Sequence, residues 1–518
     1  MSLMKSVFFN VTARLALLSA IPLVTIPSSP AQAQLRPQSQ AEGQAQGGQG
    51  HAQAQNGGNA HTQAPPYKWP YFKPLPIEPA FSLYDALGRP DNFKISGTFR
   101  PRVEGISNQF RPATFPSHDF MVSSQTAIFA EYDAGRVRIG GEVFDSRAYF
   151  QKPNSSAANT EVNALELGQA YLNFDLSDVT GEGSTSSLTT GRFTKNMSSR
   201  RILARNQYRN TINAFTGVSY DWKGANKDKM TLLWTMPHSR FPNDTQGILD
   251  NAIVYDRESL DLQFYGGTYT FENVFGGSLE VYGYGLYEKD SGTGLRLVQT
   301  RNRRLFTPGI RLARVPKPGQ LDYDVEAIYQ TGLSRETTAP TDTRDLQVSA
   351  YFLHAEAGYT FNAAWLPRVV LQYDHASGNS TNPSTFTRFD TLFGARRWEY
   401  GPTGLYGVPQ RSNMISPSLR LEITPSPIWD AFIAYRPLFL ESPTDAFAAT
   451  QIRDRSGQSG RFAGQQIETR LRTWIIPDAM LIDTGVAYLI KGRFLRDAPN
   501  APDTADTFYG YFSTTFFF

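Results

Sequence analysis

The sequence predicts an all-β fold: a single transmembrane antiparallel β-barrel of about 18 strands. Two observations carry this prediction. From about Asn92 onward, apolar and charged residues alternate with period two, the pattern of strands with one dry and one wet face. The chain also ends on an aromatic strand, with Phe508, Phe512, Phe516 and Phe518 on one face. A barrel in lipid must pair its last strand with its first, and its aromatic residues anchor at the membrane interface.

Residues 1–33 read as an export signal. Lys5 and Arg14 supply positive charge, Leu15 to Ile26 is a short apolar core broken by Pro22, and Ala31-Gln32-Ala33 is a small-x-small cleavage site. The apolar run is too short for a spanning helix, which needs about 20 apolar residues. Residues 34–80 are expected to be a disordered periplasmic segment. Residues 34–64 are rich in Gln, Ala and Gly, and His51 and His61 are too sparse for a metal site. Residues 65–80 are rich in proline and aromatic side chains and are expected to lie extended against the barrel mouth. Residues 81–518 are assigned to the barrel.

The strands follow from the alternation. Phe93, Ile95, Phe99 and Val103 alternate with Lys94, Arg100, Arg102 and Glu104. Ala170, Leu172 and Phe174 alternate with Gln169, Asn173 and Asp175, and Leu419, Leu421 and Ile423 with Arg420 and Glu422. Glu468, Arg470 and Arg472 share a face. Full charges of both signs on the polar face suit a wet lumen better than the outside of a soluble sandwich. Joins at Asp133-Ala134-Gly135 and from Lys223 to Asp228 are tight. Pro153–Thr160, Pro237–Asp250, Ser334–Arg344, Gly378–Pro409 and Ser442–Ala463 are long and polar. Short turns at one end and long loops at the other is the outer-membrane pattern. The stretch from Asn92 to Phe518, at roughly 22–26 residues per strand with its connection, gives about 16 to 20 strands, an even number being expected.

Composition narrows the functions. The chain of 518 residues is 13% aromatic, yet its mean hydropathy is −0.38. A barrel reconciles the two, because each strand shows lipid only every second residue. Cysteine is absent, which removes disulfides, cysteine-type zinc sites and thiol catalysis. Lysine and arginine number 50 against 47 acidic residues, and loss of Lys5 and Arg14 with the signal leaves a net charge of +1. Bulk charge therefore makes no case for nucleic acid.

The densest basic region runs Gly191-Arg192-Phe193, then Arg200-Arg201-Ile202, Tyr208-Arg209-Asn210-Thr211 and Phe215-Thr216-Gly217-Val218. This order resembles a segment of the alginate export family, outer-membrane barrels that secrete an anionic polysaccharide. The stretch from Glu166 to Leu172 before it and Phe393-Gly394-Ala395-Arg396-Arg397 after it look related. The chain departs from the family where Phe193 replaces a usual Gln and Tyr208 a Trp, and the tyrosine-glycine step after the Gly-Arg pair is missing. The resemblance implies an outer-membrane location, an anionic saccharide as cargo and a periplasmic export partner.

The residues themselves suggest how such cargo would move. A carboxylate polymer entering a pore sheds hydration, and arginine replaces it with a planar fork of donors that stays charged. The candidate path comprises Arg100, Arg102, Asp175, Arg192, Arg201, Arg209, Arg420, Glu468, Arg470 and Arg472. Asp175, Glu422 and Glu468 are expected to hold the arginines extended. No catalytic residue, metal or cofactor is assigned. His354 and His375 have no convincing nucleophile or carboxylate partner in sequence, Asp374-His375-Ala376-Ser377 offers hydrolase spacing only weakly, and the Asp390 and Asp454 regions make unconvincing calcium loops. The reading is a passive channel for an anionic, alginate-like saccharide or polysaccharide in the Gram-negative outer membrane. It contacts outer-membrane lipid and is inserted by the barrel assembly machinery. The rival readings are a general small-solute porin, an adhesin-like or structural surface barrel with a plugged lumen, and an outer-membrane hydrolase.

Overall fold

Period-two alternation becomes a closed wall. The computed structural model describes residues 72–76 and 78–518; the signal reading over 1–33 and most of the 34–80 segment lie outside the described residues. The strands are β1 Phe93–Ser107, β2 His118–Asp133, β3 Val137–Tyr149, β4 Asn163–Asp175, β5 Thr185–Phe193, β6 Phe215–Lys223, β7 Lys229–Pro237, β8 Leu262–Val274, β9 Gly277–Glu288 and β10 Arg304–Arg314. They continue as β11 Gln320–Ser334, β12 Leu346–Thr360, β13 Arg368–Ala376, β14 Thr385–Phe386, β15 Met414–Ser426, β16 Trp429–Phe439, β17 Phe462–Ile476, β18 Met480–Lys491 and β19 Thr507–Phe517. Each pairs antiparallel with the next, β13 passes directly to β15, and β19 returns to β1. The two-residue β14 instead lies parallel to β12, leaving a closed barrel of 18 strands.

Closure satisfies every ladder bond without an edge. At the seam, Val103 faces Phe512 and Gly105 faces Gly510. The backbone of Phe518 exchanges hydrogen bonds with Gly97. A side chain at Gly97 would meet the Phe518 ring. A larger residue there would require the terminal ring to shift.

Burial alternates as a barrel requires, with the apolar face turned out. On β13 and β15, Leu371, Leu419 and Leu421 are exposed, while Arg368, Gln372, Arg420 and Glu422 are buried. Register sets Leu371 beside Leu419 and Leu421 beside Ile433, so the outer apolar surface is continuous from strand to strand. Exposed hydrophobic side chains in this arrangement face lipid rather than water.

Connections of 2 to 9 residues lie at one end, the turn end, and include both tight joins expected from sequence. All the long connections lie at the other, the loop end. Two of them, residues 194–214 and 377–413, fold into the lumen. They meet as Leu203 bridges Phe393, with Ala204 N–H donating to Phe393 O (3.1 Å) and Ala395 N–H to Arg200 O (3.0 Å). Beneath them Met197, Ile202, Leu203 and Phe393 pack on Phe215, Phe264, Tyr284 and Phe352 of the wall. At the turn end, Phe72 packs on Trp474, Leu481 and Phe517. Lys73 pairs with Asp478 at 2.6 Å, and Trp474 donates to Lys73 O at 3.2 Å.

The lipid face yields a direct test. Leu421 lies mid-strand and is 47% exposed. Leu421→Arg should destabilise the folded barrel by about 2–4 kcal/mol in reversible unfolding from lipid vesicles, the cost of a midplane arginine. An unchanged midpoint would place this face away from hydrocarbon.

Candidate functional site

Between the inward loops and the turn end lies a cavity of about 200 Å³. Its wall comes from many elements. β1 supplies Arg100 and Arg102, β15 supplies Arg420, and β17 supplies Arg470 and Arg472. Loop 194–214 adds Arg200, Arg205 and Tyr208, and loop 377–413 adds Arg397. Leu75, Pro76 and Pro79 contribute from the segment before the barrel. Against these arginines, Asp483 is the carboxylate among the described lining residues.

Seven of these eight guanidiniums are held by neighbouring groups as follows. Arg100 donates to the carbonyls of Gln207 (2.6 Å) and Arg209 (2.9 Å), and Arg102 to that of Tyr208 (2.6 Å). Two strand arginines thus fix the tip of loop 194–214, while the Arg102 guanidinium also stacks 4.2 Å from the Tyr208 ring. Arg397 pairs with Glu468 (2.6 Å), donates to the Tyr511 hydroxyl (2.8 Å) and covers the other contact of Tyr208 at 4.7 Å. Arg470 forms a fork on Asp483, at 2.5 and 2.9 Å. Tyr511 also donates to Asp483, at 2.8 Å. Arg472 forks onto Asp430 and lies 4.3 Å from the Phe72 ring. Arg420 pairs with Glu422 at 2.6 Å, and Arg205 with Glu142 at 2.6 Å. Apart from Asp483, these carboxylates do not line the cavity, so the guanidiniums lie between them and the cavity.

Of the sequence-stated path, Arg100, Arg102, Arg420, Arg470 and Arg472 line the cavity, and Glu468 orients an arginine that does. Four residues need correction. Arg201 is 1% exposed and sits among Glu326, Asp324 (3.2 Å) and Glu399 (2.7 Å), binding the loop to β11. Burial alone would lower its pKa, but the carboxylates outweigh that and hold it well above the usual arginine value. Arg192 faces away from the cavity, paired in register with the outward Ala170 and bound to Glu166 at 2.7 Å and to His238. Arg209 turns to Thr211 O (3.3 Å) and Asn213 Oδ1 (2.7 Å). Asp175 has inward parity but lies exposed at the turn end, accepting from Ser177 N–H (2.9 Å) and Oγ–H (2.6 Å) rather than orienting an arginine.

Arg200, Arg205 and Arg397 were missed, because loops carry no period from which to read a facing. Their one signal was position, inside the two basic stretches 200–209 and 393–397. His354 also differs from expectation: β12–β13 register sets it opposite Asp374, Nδ1 to Oδ1 at 2.7 Å. Asp374 also accepts from Arg436 (3.1 Å) and Gln372 (2.6 Å), so the pair belongs to a buried lumen network.

A family model described as alginate export matches residues 41–507. The chain belongs to the alginate export family. Among solved structures, Pseudomonas aeruginosa OccK9 (OpdG) superposes with a TM-score of 0.52 at 11% identity, covering 82% of this chain and 98% of that one. Acinetobacter baumannii OccAB3 gives 0.51 at 11%, covering 83% and 100%, and OccAB1 gives 0.51 at 12%, covering 82% and 96%. At these identities the likeness shows the barrel fold alone. No curated protein sequence matches the chain. This alginate export family member is an outer-membrane channel in a Gram-negative envelope. Its turn end faces the periplasm and its loop end the exterior.

The lone lining carboxylate gives the family member a testable asymmetry. Asp483→Asn removes the negative charge facing the cavity and leaves Arg470 uncompensated. In planar bilayers it should raise the chloride-over-potassium permeability ratio, by roughly twofold. A fall in that ratio would mean that Asp483 does not face the conduction path.

Proposed function

We propose that the channel passively conducts an anionic saccharide, oligomer or polymer, through the arginine-lined cavity between the inward loops and the turn end. The observation that carries the reading is the composition of that lining: arginines from five elements against one carboxylate, Asp483, among the described lining residues. Net charge cannot supply the preference, since the chain without its signal is nearly neutral. Arginines braced from behind keep their fork geometry without a large ordering cost when a carboxylate arrives. Distribution over several elements lets successive sugar carboxylates be passed along rather than trapped. Membership of the alginate export family supports the same cargo class. On this reading the protein is a conduit and not an enzyme, and the buried His354–Asp374 pair is structural. It reaches the membrane through the barrel assembly machinery and receives or delivers cargo through a periplasmic partner.

The experiment is ion selectivity with paired substitutions. Arg470→Ala with Arg472→Ala should lower the chloride-over-potassium preference and weaken current block by uronate oligomers by about tenfold. High salt should mimic the loss by screening. Arg136 and Arg455, on exposed connections at opposite ends, should change either quantity little when replaced by Ala. A cation-selective parent, or equal behaviour of the two mutant pairs, would replace this reading with the general porin.

A further inference from the structure

The loop end carries a second group of arginines whose bonding differs in kind. Loops 108–117, 150–162, 194–214, 238–261 and 377–413 converge there around Glu161, which is 2% exposed. Glu161 accepts from Ala158 N–H (2.9 Å) and Thr160 Oγ–H (2.5 Å). Arg209 and Arg240 both donate to one atom, Asn213 Oδ1, at 2.7 Å each. Arg240 also reaches Asn159 O at 3.0 Å. Arg111 donates to the carbonyls of Leu405 (2.9 Å) and Tyr406 (2.7 Å). Arg396 reaches Gln410 Oε1 at 3.5 Å, beyond the range of a good hydrogen bond.

The cavity arginines named above are braced by carboxylates or by several loop carbonyls. These four bond to neutral oxygens, and none forms an ion pair among the described residues. Two guanidiniums sharing one amide oxygen repel each other, and Glu161 has to serve as counter-charge to all four. The strain registers in their acidity. Burial lowers Arg111 to about 9 and Arg396 to about 10, and it lowers Arg209 and Arg240 too. Repulsion adds to this, from Arg396 on Arg111 and from Arg240 on Arg209. Asp256 and then Glu161 offset part of the burial at Arg240, although burial and Glu166 push Asp256 itself up to about 7. Arg209, Arg240 and Arg396 are only half-buried, so an anion from solvent can reach them.

We propose that this cluster is a second anion subsite, which takes one carboxylate of an anionic saccharide at the outer end of the path. A carboxylate fits because its two oxygens match the forked donors of Arg209, Arg240 and Arg396 and add to the counter-charge that Glu161 shares among them. The subsite lies on the far side of the inward loops from the cavity, so cargo would meet two positive stations in sequence. This inference rests on the anionic-saccharide reading, but it does not require the inner constriction to be selective.

The test is side-resolved block of single-channel current by a uronate trisaccharide, with its neutral methyl ester as the charge control. Arg396→Gln is the mildest variant, since its side chain makes one long contact; Arg209→Gln with Arg240→Gln is the second. Heat-modifiable gel mobility verifies that each variant folds. Both should cut the frequency of blocking events from the loop side by about tenfold. Block from the turn side should stay within about twofold of the parent. Arg396→Lys should restore part of the loop-side block, and the methyl ester should block neither side. If Arg470→Ala with Arg472→Ala changes nothing while Arg396→Gln abolishes loop-side block, the inner constriction reading falls and this subsite stands. If the outer variants match the parent from the loop side, or lose block equally from both sides, the cluster is not an anion subsite.

Discussion

The hydrogen-bond ladder between β1 and β19 is the interaction on which the rest depends. In hydrocarbon an unpaired backbone amide has no water to bond, so a sheet survives only when its edges meet. Here the meeting uses Gly97, where any larger residue would strike the Phe518 ring. Once the wall is closed, alternation decides everything about chemistry. Leucines and isoleucines on one parity meet lipid, and arginines and carboxylates on the other are confined to a lumen too narrow for them to avoid one another.

Confinement explains why the lumen is filled rather than empty. Wide barrels leave room for water, and two long loops occupy much of it here. Their polar backbone must be satisfied inside the barrel, and the wall arginines do this. Arg100 and Arg102 serve the carbonyls of Gln207, Tyr208 and Arg209, while Arg201 anchors the same loop to Asp324 and Glu326 on β11. The side chains that line the cavity therefore also hold the loop that bounds it. Buried pairs of this kind add little net stability, but they fix orientation, which is what a selective passage needs.

The two arginine groups illustrate how context separates equal residues. Arg470 and Arg472 face carboxylates across neighbouring strands and are neutralised in pairs. Arg209 and Arg240 share an amide oxygen, form no ion pair of their own among the described residues and have Glu161 in common as counter-charge. The first arrangement presents oriented donors without holding anions tightly. The second leaves charge unbalanced at the entrance where cargo would first meet or last leave the protein.

The wall was legible in the chain because a strand has a period of two, and one known residue fixes the facing of its neighbours. Arg100, Arg102, Arg420, Arg470 and Arg472 were placed this way. Arg192 failed because its facing came from a motif rather than from the parity of β5. Asp175 had the right parity but the wrong depth, since periodicity gives side and not height. Arg200, Arg205 and Arg397 sit on loops, where no period exists, and Arg201 and Arg209 were drawn into the path only by their neighbours. Local sequence thus determined the barrel and its lipid face, because alternation and hydrophobicity act between adjacent residues. Tertiary structure alone decided which loops turn inward and which arginines find carboxylates, because those pairings join residues more than a hundred positions apart, such as Arg201 with Glu326 and Arg102 with Tyr208.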